Sequence, residues 1–258
     1  MRLSTALVAA WLLVSPAQSL PPALWSNTEQ TPLGQDPRVL SGGKDGPRVN
    51  VTLYVMSRCP DARLCEAVFD DVLQHPGIRD KIHFTVDVVA HLNQTERLGV
   101  ECKHGEAECR GNIHDLCLQR HVPLPEFYAS VQCQNFETPF PGKIGDVALT
   151  RRCATASKVD WWGSGVGECI LGKGARRDDG KRATKKGTVG EEGKRLLVES
   201  IGRTEAAGVT KSCTIDIGET GKRRCIVDGG KWSGCDDGHT SSDFIRVIQK
   251  EWEALQSQ

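Results

Sequence analysis

The 258-residue sequence carries no excess of charge of either sign, because 33 Lys and Arg balance 33 Asp and Glu. Nothing global therefore draws it to nucleic acid or to anionic lipid. It also lacks an apolar run long enough to cross a bilayer as a helix, which takes about 20 residues. With 26% charged residues an integral membrane bundle is excluded, and with 38% hydrophobic residues a wholly disordered chain is excluded as well. There is no internal repeat. No phosphate-binding glycine loop, Ser/His/Asp order or paired-carboxylate constellation stands out, so those chemistries have no starting point.

Cysteine is what the sequence has in quantity. Eleven residues are many for a cytosolic protein and point to an oxidising compartment or to metal sites. The number is odd, so within one chain at least one sulfur lacks a partner. The N-terminus supports the first option. Arg2, the apolar run Ala6 to Val14 and the small residues Ala17 and Ser19 read as a cleavable signal peptide over residues 1–19. Two Asn-x-Thr sequons, at Asn50 and Asn93, agree with passage through a lumen and mark both as candidate glycosylation sites. The expected product is soluble, in the secretory pathway, extracellular or in a lysosome or vacuole.

Residues 20–48 hold five prolines without apolar periodicity and read as an extended segment. Val49 to Met56 alternates like a strand. Ser57-Arg58-Cys59-Pro60 then leads into a helix, with proline at the first helical position, where its missing N–H costs nothing. Cys65, Val68, Phe69, Val72 and Leu73 give that helix one apolar face. Lys81 to Leu92 alternates again, which completes a parallel βαβ unit. Short helical signals fill a stretch from about 100 to 172, the last carried by Val159, Trp162, Val166, Cys169 and Ile170. Residues 173–195 hold nine Lys/Arg and four Asp/Glu with little that is apolar. They read as a flexible basic loop rather than a polyanion site. A helix over Leu196–Ala207, a hairpin of Cys213–Ile217 with Arg223–Val227, and a helix bearing Phe244, Val247, Ile248, Trp252 and Leu255 close the chain. The order βαβ, helical insertion, ββα is that of a thioredoxin-like α/β domain over residues 49–258.

Cys59 sits where a strand meets a helix N-terminus, whose positive end favours the thiolate that attacks disulfides. Arg58 and Arg63 add positive charge nearby, and Asp61 opposes them. A structural cysteine would occupy the same place equally well. The stretch Cys102-Lys103-His104-Gly105-Glu106-Ala107-Glu108-Cys109-Arg110-Gly111-Asn112-Ile113-His114-Asp115-Leu116-Cys117 is more specific. It resembles the C-Q-H-G-x-x-E-C-x-x-N-x-x-x-x-C signature of the gamma-interferon-inducible lysosomal thiol reductase family. Seven of the eight fixed positions match, with Lys103 in place of glutamine. The resemblance implies a thioredoxin-like fold with a disulfide-bonded helical insertion and reduction of protein disulfides. No cofactor, metal or nucleic acid is expected; the expected partners are disulfide-containing proteins and an external thiol. In the family the signature serves structure, so its cysteines are expected in disulfides. Zinc on Cys102, His104, Cys109 and Cys117 is the competing reading, against which stand the irregular spacing and the oxidising compartment.

Two departures from the family stand out. By position Cys59 matches the first cysteine of the family's C-x-x-C pair, but Ala62 stands where the second belongs, and the next cysteine is Cys65. On a regular helix Cys65 would lie roughly 9 Å from Cys59 and about 120° round the axis. Disulfides rarely span more than about 7 Å between Cα atoms. Cys59 and Cys65 are the candidate catalytic residues, with Cys65 either resolving the mixed disulfide or remaining an inert core thiol. The second departure is in Val209–Thr214, where related reductases place a cis-proline and this chain has none. Cys213 is then a strand cysteine near the site or half of a structural bridge. Cys225 and Cys235 are plausible partners. These departures keep open a second reading, a catalytically silent thioredoxin-like binding module.

Overall fold

The computed structural model describes residues 46–175 and 189–257. The signal peptide, residues 20–45 of the extended segment and residues 176–188 of the basic loop lie outside the described residues. Strand β1 (Val49–Val55), helix α1 (Pro60–Gln74) and strand β2 (Ile82–Val88) form the expected parallel unit, in register from Val49 opposite Ile82 to Val55 opposite Val88. Strands β3 (His91–Leu92) and β4 (Val100–Glu101) make a separate two-stranded ladder. Helices α2 (Glu106–His121), α3 (Leu124–Asn135), α4 (Val147–Ala156) and α5 (Val166–Leu171) follow. Helix α6 (Glu191–Ala206), strands β5 (Thr214–Ile217), β6 (Arg224–Asp228) and β7 (Lys231–Ser233), and helix α7 (Ser241–Gln256) complete the chain. The main sheet runs β2-β1-β5-β6-β7, with only β1 and β2 parallel.

The two faces of the sheet can be read from β2, where alternate residues point opposite ways. Phe84 meets Phe69 of α1 at 6.1 Å between ring centroids, and Phe69 in turn meets Phe244 of α7 at 5.0 Å, so α1 and α7 share one face. Asp87 points the other way, accepting hydrogen bonds from Ser200 Oγ at 2.7 Å and from Arg203 of α6. The open edge of β2 is sealed by side chains rather than by another strand. Gln119 of α2 bonds both the N–H and the carbonyl of Val86, while Ser200 and Thr204 of α6 do the same for Val88. This removes a free strand edge that could otherwise pair with another chain.

Four boundaries differ from the sequence reading. Lys81–Leu92 is not one strand, because after Val88 the chain leaves the sheet and His91 and Leu92 pair with β4. The helix read from Val159 shrinks to Val166–Leu171: Asp160 Oδ1 accepts from the N–H of Trp162 and Gly163 to form a turn, and Gly165 takes φ +95°. Helix α6 begins at Glu191, so Glu191–Arg195 are helical rather than part of the basic loop. The Gly-rich stretch between Cys225 and Cys235 contains an extra strand, β7, with Gly229 and Gly230 both at positive φ in the two-residue turn before it.

Candidate active site

All eleven cysteines lie among the described residues, and ten are bonded: Cys65–Cys213, Cys102–Cys109, Cys117–Cys169, Cys133–Cys153 and Cys225–Cys235. Cys59 is the one left free. The signature cysteines are thus in disulfides, and Cys225 pairs with Cys235 as read from the sequence. The sulfurs of the zinc alternative are consumed by two different bridges. His121, Cys169 and Glu192 bring candidate ligand atoms within 4.8 Å of one another, but the Cys169 sulfur is already bonded to Cys117.

Cys59 occupies the N-cap of α1 with extended backbone (φ −86°, ψ 128°), and Pro60 opens the helix. No side-chain hydrogen bond caps this end, whose first-turn N–H groups have no acceptor inside the helix. The thiol is only 5% exposed and its Sγ stands 3.6 Å from the carbonyl oxygen of Ser212. Ser212 and Cys213, joined by a cis peptide bond, fill the loop where the family's cis-proline was sought. Ser212 also fastens the approach to the site, since its Oγ accepts from the N–H of Met56 at 2.8 Å.

The signature acts on this loop from behind. Asn112 Oδ1 accepts from the Ser57 N–H at 2.9 Å, and Ser57 Oγ donates to the Glu108 carbonyl at 3.2 Å. Between them Gly111 allows the close approach: a Cβ there would stand 2.4 Å from Ser57 Oγ and 2.9 Å from Ile144 Cγ2. His104 holds the fully buried Glu108 carboxylate through its ring Nδ1 and its backbone N–H. These residues carry no chemistry of their own and were legible only as a motif. What they do is hold Ser57, and with it Cys59, at a fixed height above α1.

The charges flanking Cys59 are each engaged. Arg58 turns away and donates to the carbonyls of Gly142 and Ile144, at 3.3 and 2.7 Å. Arg63 lies over the Phe140 ring, 5.1 Å from its centroid. The Asp61 carboxylate accepts from the N–H of Gly229 and Gly230 at 2.9 and 2.8 Å, tying the β6–β7 turn to the first turn of α1. Two hollows of about 310 Å³ each flank this helix start. One is charged and includes Asp61, His91, Lys103 and Lys211 beside Ser212. The other is apolar, with Pro60, Leu64, Phe136 and Phe140.

Cys65 is not brought to Cys59. It lies fully buried one and a half turns further along α1, bonded to Cys213 with Cα atoms 6.4 Å apart. The next residue, Glu66, is also fully enclosed, though the apolar pattern gave no sign of it. Burial, reinforced by the charge of Asp115, raises its carboxyl from 4.5 to about 8, against a hydrogen bond from Asn135 Nδ2 at 2.7 Å. Burial raises Asp115 from 3.8 to about 7, opposed by a bond from Gln134. His114, buried beside Thr150, is lowered from 6.5 to about 3 by burial and by the Arg110 charge. Of the sequons, Asn50 is exposed on β1, and Asn93 is half-buried between β3 and β4, its Oδ1 accepting from the Thr95 N–H and hydroxyl.

A comparison with curated proteins finds no match. Among solved structures, BdbD from Bacillus subtilis in its oxidised form is similar at 12% identity, over 82% of this chain and 91% of that one, with a TM-score of 0.50. Two proteins of Mycobacterium tuberculosis are also similar. DsbG, a disulfide bond oxidoreductase, shares 12% identity over 84% of this chain and 86% of its own, with a TM-score of 0.47. Oxidised DsbA shares 14% over 81% and 86%, with a TM-score of 0.48. At such identities the likeness to BdbD speaks for the fold alone, which is thioredoxin-like. The model of the gamma interferon inducible lysosomal thiol reductase family matches residues 50–156, the stretch that runs from β1 through Cys59 and the whole signature to the end of α4. Over that stretch, less than half of its length, the chain is similar to the gamma interferon inducible lysosomal thiol reductase family.

Proposed function

We propose that this thiol–disulfide oxidoreductase works in the reducing direction on protein disulfides, with Cys59 as the attacking thiolate. The observation that carries the reading is the position of Cys59. It is the one free thiol, at a helix N-terminus without a side-chain cap, beside the Ser212 carbonyl, and hollows flank that helix start. The Cys59 sulfur bonds to one sulfur of the substrate disulfide, the substrate S–S bond breaks, and the second substrate sulfur leaves as a thiolate that takes up a proton. A further thiol then displaces the substrate from Cys59. Cys65 was the candidate for that step, with an external thiol as its alternative; because Cys65 is bonded to Cys213, it can serve only once that bond has been opened.

The compartment we infer is oxidising: extracellular, or the lumen of the secretory pathway or of a lysosome or vacuole. Five disulfides support it, as do the sequons at Asn50 and Asn93, which we read as glycosylated. The test is turnover of a disulfide-bonded protein substrate with a thiol reductant, from about pH 4.5 to about pH 7.5. Activity is expected in the wild type and its loss in Cys59→Ser. A variant that retains turnover removes Cys59 from the mechanism.

A further inference from the structure

Cys59 and the Cys65–Cys213 bridge meet at one point of the fold. Cys59 and Cys65 stand on the same helix, and Cys213 follows the residue whose carbonyl touches the Cys59 sulfur. The Ser212 oxygen and the Cys213 Cα belong to one rigid peptide unit and lie about 3.6 Å apart across its cis bond. The Cys59 sulfur, 3.6 Å from that oxygen, is therefore at most about 7 Å from the Cys213 Cα. A cysteine sulfur reaches nearly 3 Å from its own Cα, so with the Cys213 side chain turned toward Cys59 the two sulfurs are at most about 4 Å apart, a gap that side-chain and loop adjustment must close for a bond to form. Cys65, by contrast, is about 9 Å up the helix from Cys59. The Ser212–Cys213 peptide thus brings Cys213 toward the Cys59 sulfur, while the helix sets Cys65 more than one and a half turns away.

We propose, resting on the reading of Cys59 as nucleophile, that these three cysteines form a relay. In it Cys213 resolves the mixed disulfide, and the Cys65–Cys213 bridge is the resting oxidised form. Starting from three thiols, Cys59 attacks the substrate disulfide and releases the first substrate thiolate. The Cys213 thiolate attacks the Cys59 sulfur; the Cys59–Cys213 bond forms and the second substrate thiolate leaves. The Cys65 thiolate attacks the Cys213 sulfur; the Cys65–Cys213 bond forms and Cys59 is released as a thiolate. The substrate has gained two electrons and two protons, and the protein has lost the same from Cys65 and Cys213. An external dithiol, or two monothiols, restores the starting state and is itself oxidised to a disulfide.

The geometry also sets the direction of recharging. Cys65 and Cys213 are both fully buried, whereas Cys59 keeps 5% exposure. A small thiol has no direct path to the bridge. Running the last exchange backwards, the Cys59 thiolate moves the bond to Cys59–Cys213, where an outside thiol can reach it. Cys59 is thus the gate to a buried pair of electrons, and the residue that takes the place of proline in this loop is a working part of the reaction.

The experiment incubates the native protein with dithiothreitol at a concentration that leaves the other four bridges intact. It quenches with iodoacetamide and maps the cysteines by mass spectrometry. The Cys65–Cys213 bridge is expected to open at least about tenfold faster in the wild type than in Cys59→Ser; equal rates overturn the relay. In Cys65→Ser a Cys59–Cys213 bond is expected, and a folded variant with both residues alkylated also overturns it. The turnover assay separates the two levels. If Cys59→Ser abolishes turnover but the bridge opens at the wild-type rate, Cys59 remains the nucleophile and only the relay falls. If Cys59→Ser retains turnover, the underlying reading falls with it.

Discussion

Two disulfides of this molecule are alike in burial but differ in their company. Cys65–Cys213 and Cys117–Cys169 are both fully buried, with Cα separations of 6.4 and 5.8 Å, and each ties a helix to a distant part of the chain. Around Cys117–Cys169 the neighbours include Ile113, the backbone of Gly193, where an added Cβ would stand 3.4 Å from the Cys117 sulfur, and the side chains of His121 and Glu192, but no thiol. Beside Cys65–Cys213 stands the free thiol of Cys59. Burial and span therefore do not distinguish a staple from a redox couple. What does is a thiolate within reach, since exchange proceeds only by attack of one sulfur on another.

The largest effect expected follows from removing that thiolate. Cys59→Ser should lower turnover on a disulfide substrate by about a hundredfold or more. Its stability should stay within about 1 kcal/mol of the wild type, since the change is nearly isosteric and breaks no bridge. Steady-state kinetics alongside chemical denaturation checks both halves. A variant that loses activity only because it unfolds would erase the distinction between the two bridges.

The second prediction cuts the other bridge. Replacing Cys117 and Cys169 together by alanine frees a loop of 52 residues. It should cost about 2–4 kcal/mol of stability through the added freedom of the unfolded chain. Turnover per folded molecule, and the rate at which dithiothreitol opens Cys65–Cys213, should not change. Urea unfolding measures the first and thiol mapping the second. An altered opening rate would mean that the two bridges are mechanically coupled and the comparison too simple.

The contrast also shows how far a sequence can be read. The strand–Cys59–Pro60–helix junction, the βαβ unit and the Cys225–Cys235 pair are local, so spacing and turn chemistry exposed them. The signature at 102–117 was visible as a motif, and its structural role followed from the family. The partner of Cys65 was hidden, because Cys213 lies 148 residues away and is delivered only when β5 docks against β1. Strand β7 was missed because three residues between glycines carry too little alternation to register. Glu66 was missed for the opposite reason: it stands beside Cys65 on an otherwise convincing amphipathic helix, and only the packing of α3 encloses it.

That buried carboxyl carries the third prediction, because each of the two bridges has one nearby in sequence: Glu66 follows Cys65, and Asp115 precedes Cys117 by two residues. A carboxyl whose folded pKa is raised binds its proton more tightly in the folded state, so it favours folding at low pH. For Glu66 that contribution is complete below its ordinary value near 4.5 and is lost as pH rises through about 8; for Asp115 the upper limit is about 7. His114, lowered to about 3, works against them by costing stability as pH falls below 6.5. Between 6.5 and 4.5 the two acids outweigh His114, with His83, also lowered by burial and the Arg48 charge, opposing them near the top of that range, so stability is greatest near about pH 4 to 5. Glu66→Gln keeps an acceptor for Asn135 and cannot ionise. It should match the wild type near pH 5, exceed it at pH 8, and flatten the profile between, as read by thermal unfolding across that range. An unchanged profile would remove Glu66 as a source of the pH dependence.

The smallest effect tests whether the region around Cys59 is held as firmly as the staple region. Asp61 accepts from two successive backbone N–H groups, those of Gly229 and Gly230, and so pins the β6–β7 turn to the first turn of α1, next to Cys59 in sequence. Both carboxylate oxygens are used, so Asp61→Asn leaves one oxygen to accept and sets an NH₂ group against the other N–H. One hydrogen bond at a partly exposed site is worth about 1 kcal/mol or less, so global stability should hardly change. The turn should loosen locally, giving faster hydrogen exchange at Gly229 and Gly230, with turnover altered by no more than a few-fold. If exchange at these two amides stays as slow as in the wild type, the turn is held by β6 and the Cys225–Cys235 bridge alone. The active-site end would then owe its rigidity to a covalent staple, just as the insertion does.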